Sequence, residues 1–179
     1  EYKMDITNKQ YDNSFFPPIY RGGVVTEGRF QWLFYRGDNS EAYFAGTNLM
    51  SQNELRENMT VLQQLNDICK KKGITLQIAI FPNKDQVYPE FMPTTQVQDE
   101  YKRVERFVDY VKENSDVKIV YPLKELQAAK PYWDLYFKYD THWNNAGAFI
   151  GLQAMYQDLG LETTDLKNLP VRKLYDTDS

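Results

Sequence analysis

SQNELRENMTVLQQLNDICKKKGITLQIAIFP, residues 51–82, is a helix that runs straight into a strand. Ser51 and Glu54 stand at the spacing at which a hydroxyl and a carboxylate cap each other's backbone N–H groups. Leu55, Met59, Leu62, Leu65 and Cys69 then recur every three or four residues, which predicts one apolar helix face. Lys70, Lys71 and Lys72 fall where the helix dipole favours cations, and Gly73 supplies the C′ position that ends the helix. ITLQIAIF, 74–81, follows as a buried strand and stops at Pro82.

The same alternation extends in both directions. FQWLFYR, 30–36, is a β-prone run between Gly28 and Gly37. A second helix is predicted from Gln96 to Asn114, with Val97, Tyr101, Val104, Val108 and Val111 inward. VKIVY, 117–121, reads as a strand, and Pro122 can open the short helix PLKELQAAK. YWDLYFK, 132–138, is the next strand-like run, and a last helix is predicted from about Asn144 to Leu159, ended by Gly160. Strands alternating with helices predict an α/β layered domain with a mostly parallel central sheet. Residues 1–27 read as an irregular arm that packs by its aromatics, and 28–179 as the domain; PNKDQVYPEFMP, 82–93, reads as a loop.

A net charge of −4 and the lack of long basic runs remove the electrostatic footprint of a nucleic-acid binder. No 18-residue apolar stretch is present to span a membrane. The chain opens on Glu1 without an initiator methionine, so an N-terminal export signal or anchor is expected to have been removed. The single cysteine, Cys69, reads as a small buried hydrophobe. Fourteen tyrosines and ten phenylalanines fit two readings, a ring-lined cleft of the kind that binds sugars or an aromatic surface and core.

Ligands of open α/β sheets bind beyond the carboxyl ends of the strands. Arg36, Asn83 with Lys84, and Asp140 with His142 all follow predicted strands, so parallel strands would bring them to one edge. His142 is the only histidine. Side chains two apart share one side of an extended backbone. A carboxylate at 140 can therefore hold the imidazole Nδ1–H and leave Nε2 as a general base. Trp143 can wall the ring from water. The plainer reading is a helix-start aspartate beside a satisfied histidine. Lys84 reads equally as a substrate or structural contact and as a solvated or ion-paired loop lysine. Catalytic zinc commonly takes three ligands with more than one histidine, so no metal or cofactor is expected. Among the serines, none lies in a nucleophile motif of the G-x-S-x-G type.

WLFYRGD (32–38), IAIFPNKDQVYPEFMP (78–93) and YDTHWNNAG (139–147), in this order, resemble the SGNH-hydrolase-like proteins of the alginate O-acetyltransferase type, the AlgX/AlgJ-like and DHHW group. The resemblance spans roughly residues 28–160. It implies an SGNH-like three-layer α/β domain in which Asp140 and His142 are the acid and base of a Ser-His-Asp triad. It implies O-acetylation or deacetylation of an exported cell-envelope polysaccharide, in an extracytoplasmic setting, often beside a membrane O-acyltransferase. Lys84, Asn83, Trp143 and Arg36 are then candidates for substrate binding, and Asn83 or the backbone near Gly37 for oxyanion donors. The family's serine block falls well downstream of D-x-H-W. Nothing after Gly147 matches it, so the serine is expected outside this chain and the sheet incomplete at its C-terminal side. The alternative is a non-catalytic carbohydrate-binding or scaffold member of the same fold.

Overall fold

The Ser51 capping box forms as the sequence requires. Glu54 N–H donates to Ser51 Oγ (3.3 Å), Ser51 N–H donates to the Glu54 carboxylate (2.8 Å), and α2 runs Gln52–Lys71. Gly73 takes a left-handed φ of 69°, and the N–H groups of Gly73 and Ile74 donate back to the Lys70 and Cys69 carbonyls. That 5→2 and 6→1 pair is a Schellman end; the strand expected over 74–81 begins only at Gln77 and ends at Ala79, because Ile74 beside the turn is left exposed. The computed structural model describes residues 25–93, 99–164 and 168. The first 24 residues of the expected arm lie outside it, as do 96–98 of the second predicted helix.

The element order is β1 (Val25–Glu27), β2 (Leu33–Tyr35), α1 (Ser40–Ala45), α2, β3 (Gln77–Ala79), α3 (Lys84–Val87), α4 (Arg103–Asn114), β4 (Lys118–Val120), α5 (Leu123–Ala129) and α6 (Asn145–Leu159). β3 and β4 pair in parallel, with Ile78 opposite Ile119. Alternate residues of this pair serve opposite faces. Ile78, Ile80 and Ile119 join the apolar cluster under α2 and α4, which includes Leu55, Phe107 and Val111. Gln77 and Phe81 face α6: Gln77 Nε2 donates to the Met155 carbonyl (2.9 Å), and the Phe81 ring lies against Gly151. Helix, sheet and helix therefore make three layers, the α/β arrangement expected.

Several expected elements differ. Among the described residues the sheet is one parallel pair and, apart from it, the antiparallel pair β1–β2. Residues 25–27, assigned to the arm, are β1. The run 30–36 shrinks because Phe30 and Gln31 adopt φ of 55° and 64° in a 3-10 turn, leaving only Leu33–Tyr35 extended. The loop 82–93 contains α3 and a 3-10 turn at Pro89–Phe91. The second helix begins at Arg103, and Tyr101 is exposed, its hydroxyl donating to Asp109 (2.7 Å). On α2, Leu65 is exposed and Cys69 only half-buried, while Asn66 is buried, its amide donating to Asp116 (2.9 Å).

The run 132–138 is not a sheet strand. Its backbone folds back on the residues that follow: Phe137 N–H donates to the His142 carbonyl (3.2 Å) and Asn144 N–H to the Leu135 carbonyl (2.9 Å). Tyr136 and Trp143 form an isolated antiparallel bridge. Leu135 and Tyr136 are buried in the second apolar cluster with Trp32, Phe34, Tyr88 and Phe91, so the apolar signal was a core contact and not a strand.

α6 is docked through two glycines. A Cβ on Gly147 would fall on the Leu135 carbonyl oxygen, and one on Gly151 would fall on the Phe81 ring. Overpacking of this kind typically costs about 1–3 kcal/mol. We expect Gly147→Ala to destabilise by an amount toward the upper end of that range and Gly151→Ala by less, because a ring can tilt and a backbone carbonyl in a hairpin cannot. Urea unfolding of the two variants checks the order; equal midpoints would contradict it.

Candidate active site

Asn144 begins the last helix and fixes what precedes it. Its side-chain oxygen accepts from Ala146 N–H (3.0 Å) and Gly147 N–H (3.1 Å), and its Nδ2 donates to the Asp134 carbonyl (2.6 Å). The chain from 135 to 144 is thereby closed at its base, and residues 138–142 form its tip.

At that tip Asp140 Oδ1 accepts two hydrogen bonds from one residue: His142 N–H at 3.0 Å and His142 Nδ1 at 2.6 Å. The His142 backbone N–H, followed by its ring, holds the Asp140 carboxyl below the usual carboxylate range. An ionised carboxylate can only accept, so Nδ1 carries the proton and Nε2 presents a lone pair. The imidazole is 80% exposed. Trp143 does not close over it; the indole packs at a tilt against Phe81, 4.6 Å between ring centroids. The pair can take a proton from a hydroxyl brought against Nε2 and return it, and the fixed tautomer makes that transfer directional.

Beneath the tip lies Lys84. Its ammonium donates to three backbone carbonyls, Phe137 (3.0 Å), Lys138 (3.1 Å) and Asp140 (2.7 Å). The Trp32 and Phe34 rings stand 5.3 and 5.2 Å away. The Lys138 carbonyl also accepts from Leu33 N–H (3.0 Å), so β2 grips the same loop. Lys84 is only 4% exposed. Of the two sequence readings it takes the structural contact, not the solvated lysine.

Asn83, at the start of α3, is exposed and lines an open cavity of about 200 Å³ with Phe34, Tyr35, Lys84, Asp85 and Thr141. That cavity abuts the tip through Thr141. Arg36 pairs with Glu41 at the start of α1 (2.5 Å), one residue past the cavity wall formed by Tyr35. Lys84, Asn83, Asp140 and His142 are therefore brought together, with Arg36 and Trp143 at the margins. The serines of the described residues are engaged elsewhere: Ser40 Oγ donates to the Tyr35 carbonyl, Ser51 caps α2, and Ser115 Oγ donates to the Val111 carbonyl. Ser14 and Ser179 lie outside the described residues.

Sequence reasoning missed Thr141 and a buried polar chain behind α3. There Lys102 Nζ donates to Gln86 Oε1 (3.0 Å), and Gln86 Nε2 donates to Asp85 Oδ1 (2.8 Å). Burial pushes the Asp85 carboxyl up to about 6. The only signal for this chain was four polar residues beside Val87 in a segment read as a loop.

Comparison with known proteins gives a consistent result. Residues 25–174 match the family described as SGNH hydrolase-like domain, acetyltransferase AlgX. A probable alginate O-acetylase AlgJ of Pseudomonas syringae pv. tomato is 33% identical over 141 residues, 75% of this chain and 33% of its own length. The corresponding protein of Azotobacter vinelandii is 32% identical over 136 residues, 73% of this chain and 32% of its own length. The chain thus spans about a third of the length of the curated relatives it matches. Among solved structures, the O-acetyltransferase domain of Pseudomonas putida AlgJ aligns with a TM-score of 0.53 at 23% identity, covering 79% of this chain and 50% of that one. Bacillus cereus PatB1 with a sulfonyl adduct aligns with a TM-score of 0.52 at 23% identity, covering 76% and 43%. At those identities the structural matches establish the fold.

Burial pushes the Lys84 ammonium down to about 8, and the nearby Asp140 charge opposes that shift. The unfolded value is near 10.4, so between about pH 8 and 10.4 the unfolded chain holds more protons than the folded one. The penalty for the buried charge is present below pH 8, and stability from this position rises across that window. Carbon NMR of the lysine Cε resonances should find one midpoint near 8 that is missing in Lys84→Met; a Lys84 midpoint at or above 10 would contradict this.

Proposed function

The chain belongs to the SGNH hydrolase-like domain family of acetyltransferase AlgX, and on that premise we propose that it carries the acid and base of an acyl-transfer centre. In this reading the centre moves an acetyl group onto, or off, a hydroxyl of an exported polysaccharide. The observation that carries it is the Asp140–His142 contact of 2.6 Å with Nε2 left open to solvent.

His142 Nε2 takes the proton of a serine hydroxyl as that oxygen attacks the acetyl carbonyl. Asp140 keeps Nδ1 protonated and stabilises the imidazolium that forms. The same nitrogen then gives the proton to the leaving oxygen, and later takes one from the acceptor hydroxyl. The serine comes from sequence other than the described residues. Asn83 and the 200 Å³ cavity beside Thr141 receive the sugar. The relatives named for alginate support a polysaccharide acceptor, and the setting is extracytoplasmic, with a membrane O-acyltransferase as the acetyl source.

A second reading, carbohydrate binding without chemistry, is favoured by the rings around the tip: Phe137 is 54% exposed and Tyr139 64%. The two separate by turnover. In the full-length protein, His142→Ala should reduce p-nitrophenyl acetate hydrolysis to background, and Asp140→Asn should lower kcat on the order of 10³-fold or more. Rates unchanged in both variants, with glycan binding retained, would replace the enzyme with the binder.

A further inference from the structure

The loop that carries Asp140 and His142 is short, polar and exposed, yet its geometry is specific. Its two limbs are stitched together by Phe137 N–H to His142 O and Asn144 N–H to Leu135 O, the two bonds of the Tyr136–Trp143 bridge, and by the Asn144 side-chain amide to the Asp134 carbonyl. All of these lie at or below the level of His142. Around the residues that set where the Asp140 carboxylate stands, the carbonyls of Phe137, Lys138 and Asp140 converge on the inside of the bend. Three inward carbonyls repel one another unless a cation or donors lie among them. The ammonium of Lys84 lies there, with its three N–H donors matched to the carbonyls of Phe137, Lys138 and Asp140 at 2.7–3.1 Å.

Lys84 comes from a different part of the chain, 56 residues before Asp140. It is the first residue of α3, whose four residues are all buried. Its ammonium stands over the rings of Trp32 and Phe34, which belong to the larger apolar cluster. The ammonium is thus fixed to the core at one end and to the tip at the other. The shortest of its bonds goes to the carbonyl of Asp140 itself.

From this geometry we propose that Lys84 is a positioning residue for the acid–base pair, holding the Asp140 backbone so that its carboxylate meets His142 Nδ1 and locks the imidazole tautomer. The proposal rests on the acyl-transfer reading for its purpose, but not for its geometry. Lys84 touches neither reacting atoms nor His142. It acts by making one conformation of the 137–142 bend much more favourable than its alternatives. Without the ammonium, three half-buried carbonyls lose these donors, and the bend relaxes to expose them to water. Asp140 then moves with its own carbonyl, and the Nδ1 contact is shared with solvent.

The single histidine makes this measurable without activity. Long-range ¹H–¹⁵N correlation spectra of the 179-residue chain, at a pH where the imidazole is neutral, contain one imidazole pattern, and the separation of its two nitrogens reports the tautomer ratio. In the unmodified chain we expect a dominant Nδ1–H form. In Lys84→Met, which keeps the apolar stem and removes the donors, the two nitrogen shifts should converge, with the tautomer ratio falling by roughly tenfold, the weight of one charge-assisted hydrogen bond. Lys84→Arg, which restores donors and charge and can extend into the adjoining cavity, should recover part of that separation. An unaltered imidazole pattern in Lys84→Met would overturn the proposal. So would a Lys84→Met chain that loses its dispersed amide spectrum as a whole, because Lys84 would then be holding the fold and not the bend. Because the readout is spectroscopic, it can succeed where the hydrolysis assay fails, and the reverse, so the two proposals are separable.

Discussion

A lysine ammonium that is almost wholly withdrawn from water must find three acceptors or give up its proton. Lys84 finds them in the backbone of a single bend, and the bend in turn exists in this form because the ammonium is there. The electrostatics fit this arrangement. Burial lowers the proton affinity of Lys84, while the Asp140 charge acts against that shift. The aromatic rings of Trp32 and Phe34 add their negative faces at 5.3 and 5.2 Å. The charge costs stability beside the apolar cluster, and it ties that cluster to the exposed bend at 137–142.

The two ends of the site have different physical requirements. In the acyl-transfer reading His142 has to be reached by a hydroxyl, and it stands 80% exposed; exposure alone would let its ring rotate. Two hydrogen bonds to one carboxylate oxygen restrict that rotation. The restriction reaches the core by two routes. One is Lys84 and β2, acting on the bend from the amino-terminal side. The other is Asn144, which caps α6 and also bonds the Asp134 carbonyl, acting from the carboxyl-terminal side. The pair is thus held in place without being covered.

Local signals in the sequence carried the ends of the two longest helices, while α1 and α3 went unread. The capping box at Ser51, the Gly73 turn and the Gly160 end are all short-range chemistry, and each forms where the residues require it. The Asp140–His142 pair was legible for the same reason, since i and i+2 need no distant partner. What was illegible depended on contacts far along the chain. YWDLYFK has the composition of a strand, but Leu135 N–H is taken by the Tyr88 hydroxyl and the run buries its side chains without pairing in a sheet. FQWLFYR is interrupted by two residues of positive φ that no propensity anticipates. Asn66 replaces an expected apolar contact because Asp116 waits opposite it. The role of Lys84 was visible only once residues 137–140 had been placed over it.

The glycines at 147 and 151 also bear on how this chain can vary. They lie one helical turn apart on the side of α6 that meets the Leu135 carbonyl and the Phe81 ring. An α-helix advances roughly 100° per residue. A one-residue insertion or deletion between Asn144 and Gly151 would therefore rotate the smooth side of the helix away from the hairpin and turn side chains into its place. Length changes in this stretch are forbidden by shape, whereas beyond the Gly160 end they would leave that fit intact. Lineages of this domain should differ in length past Gly160 and keep a constant count of residues from Asp140 to Gly151.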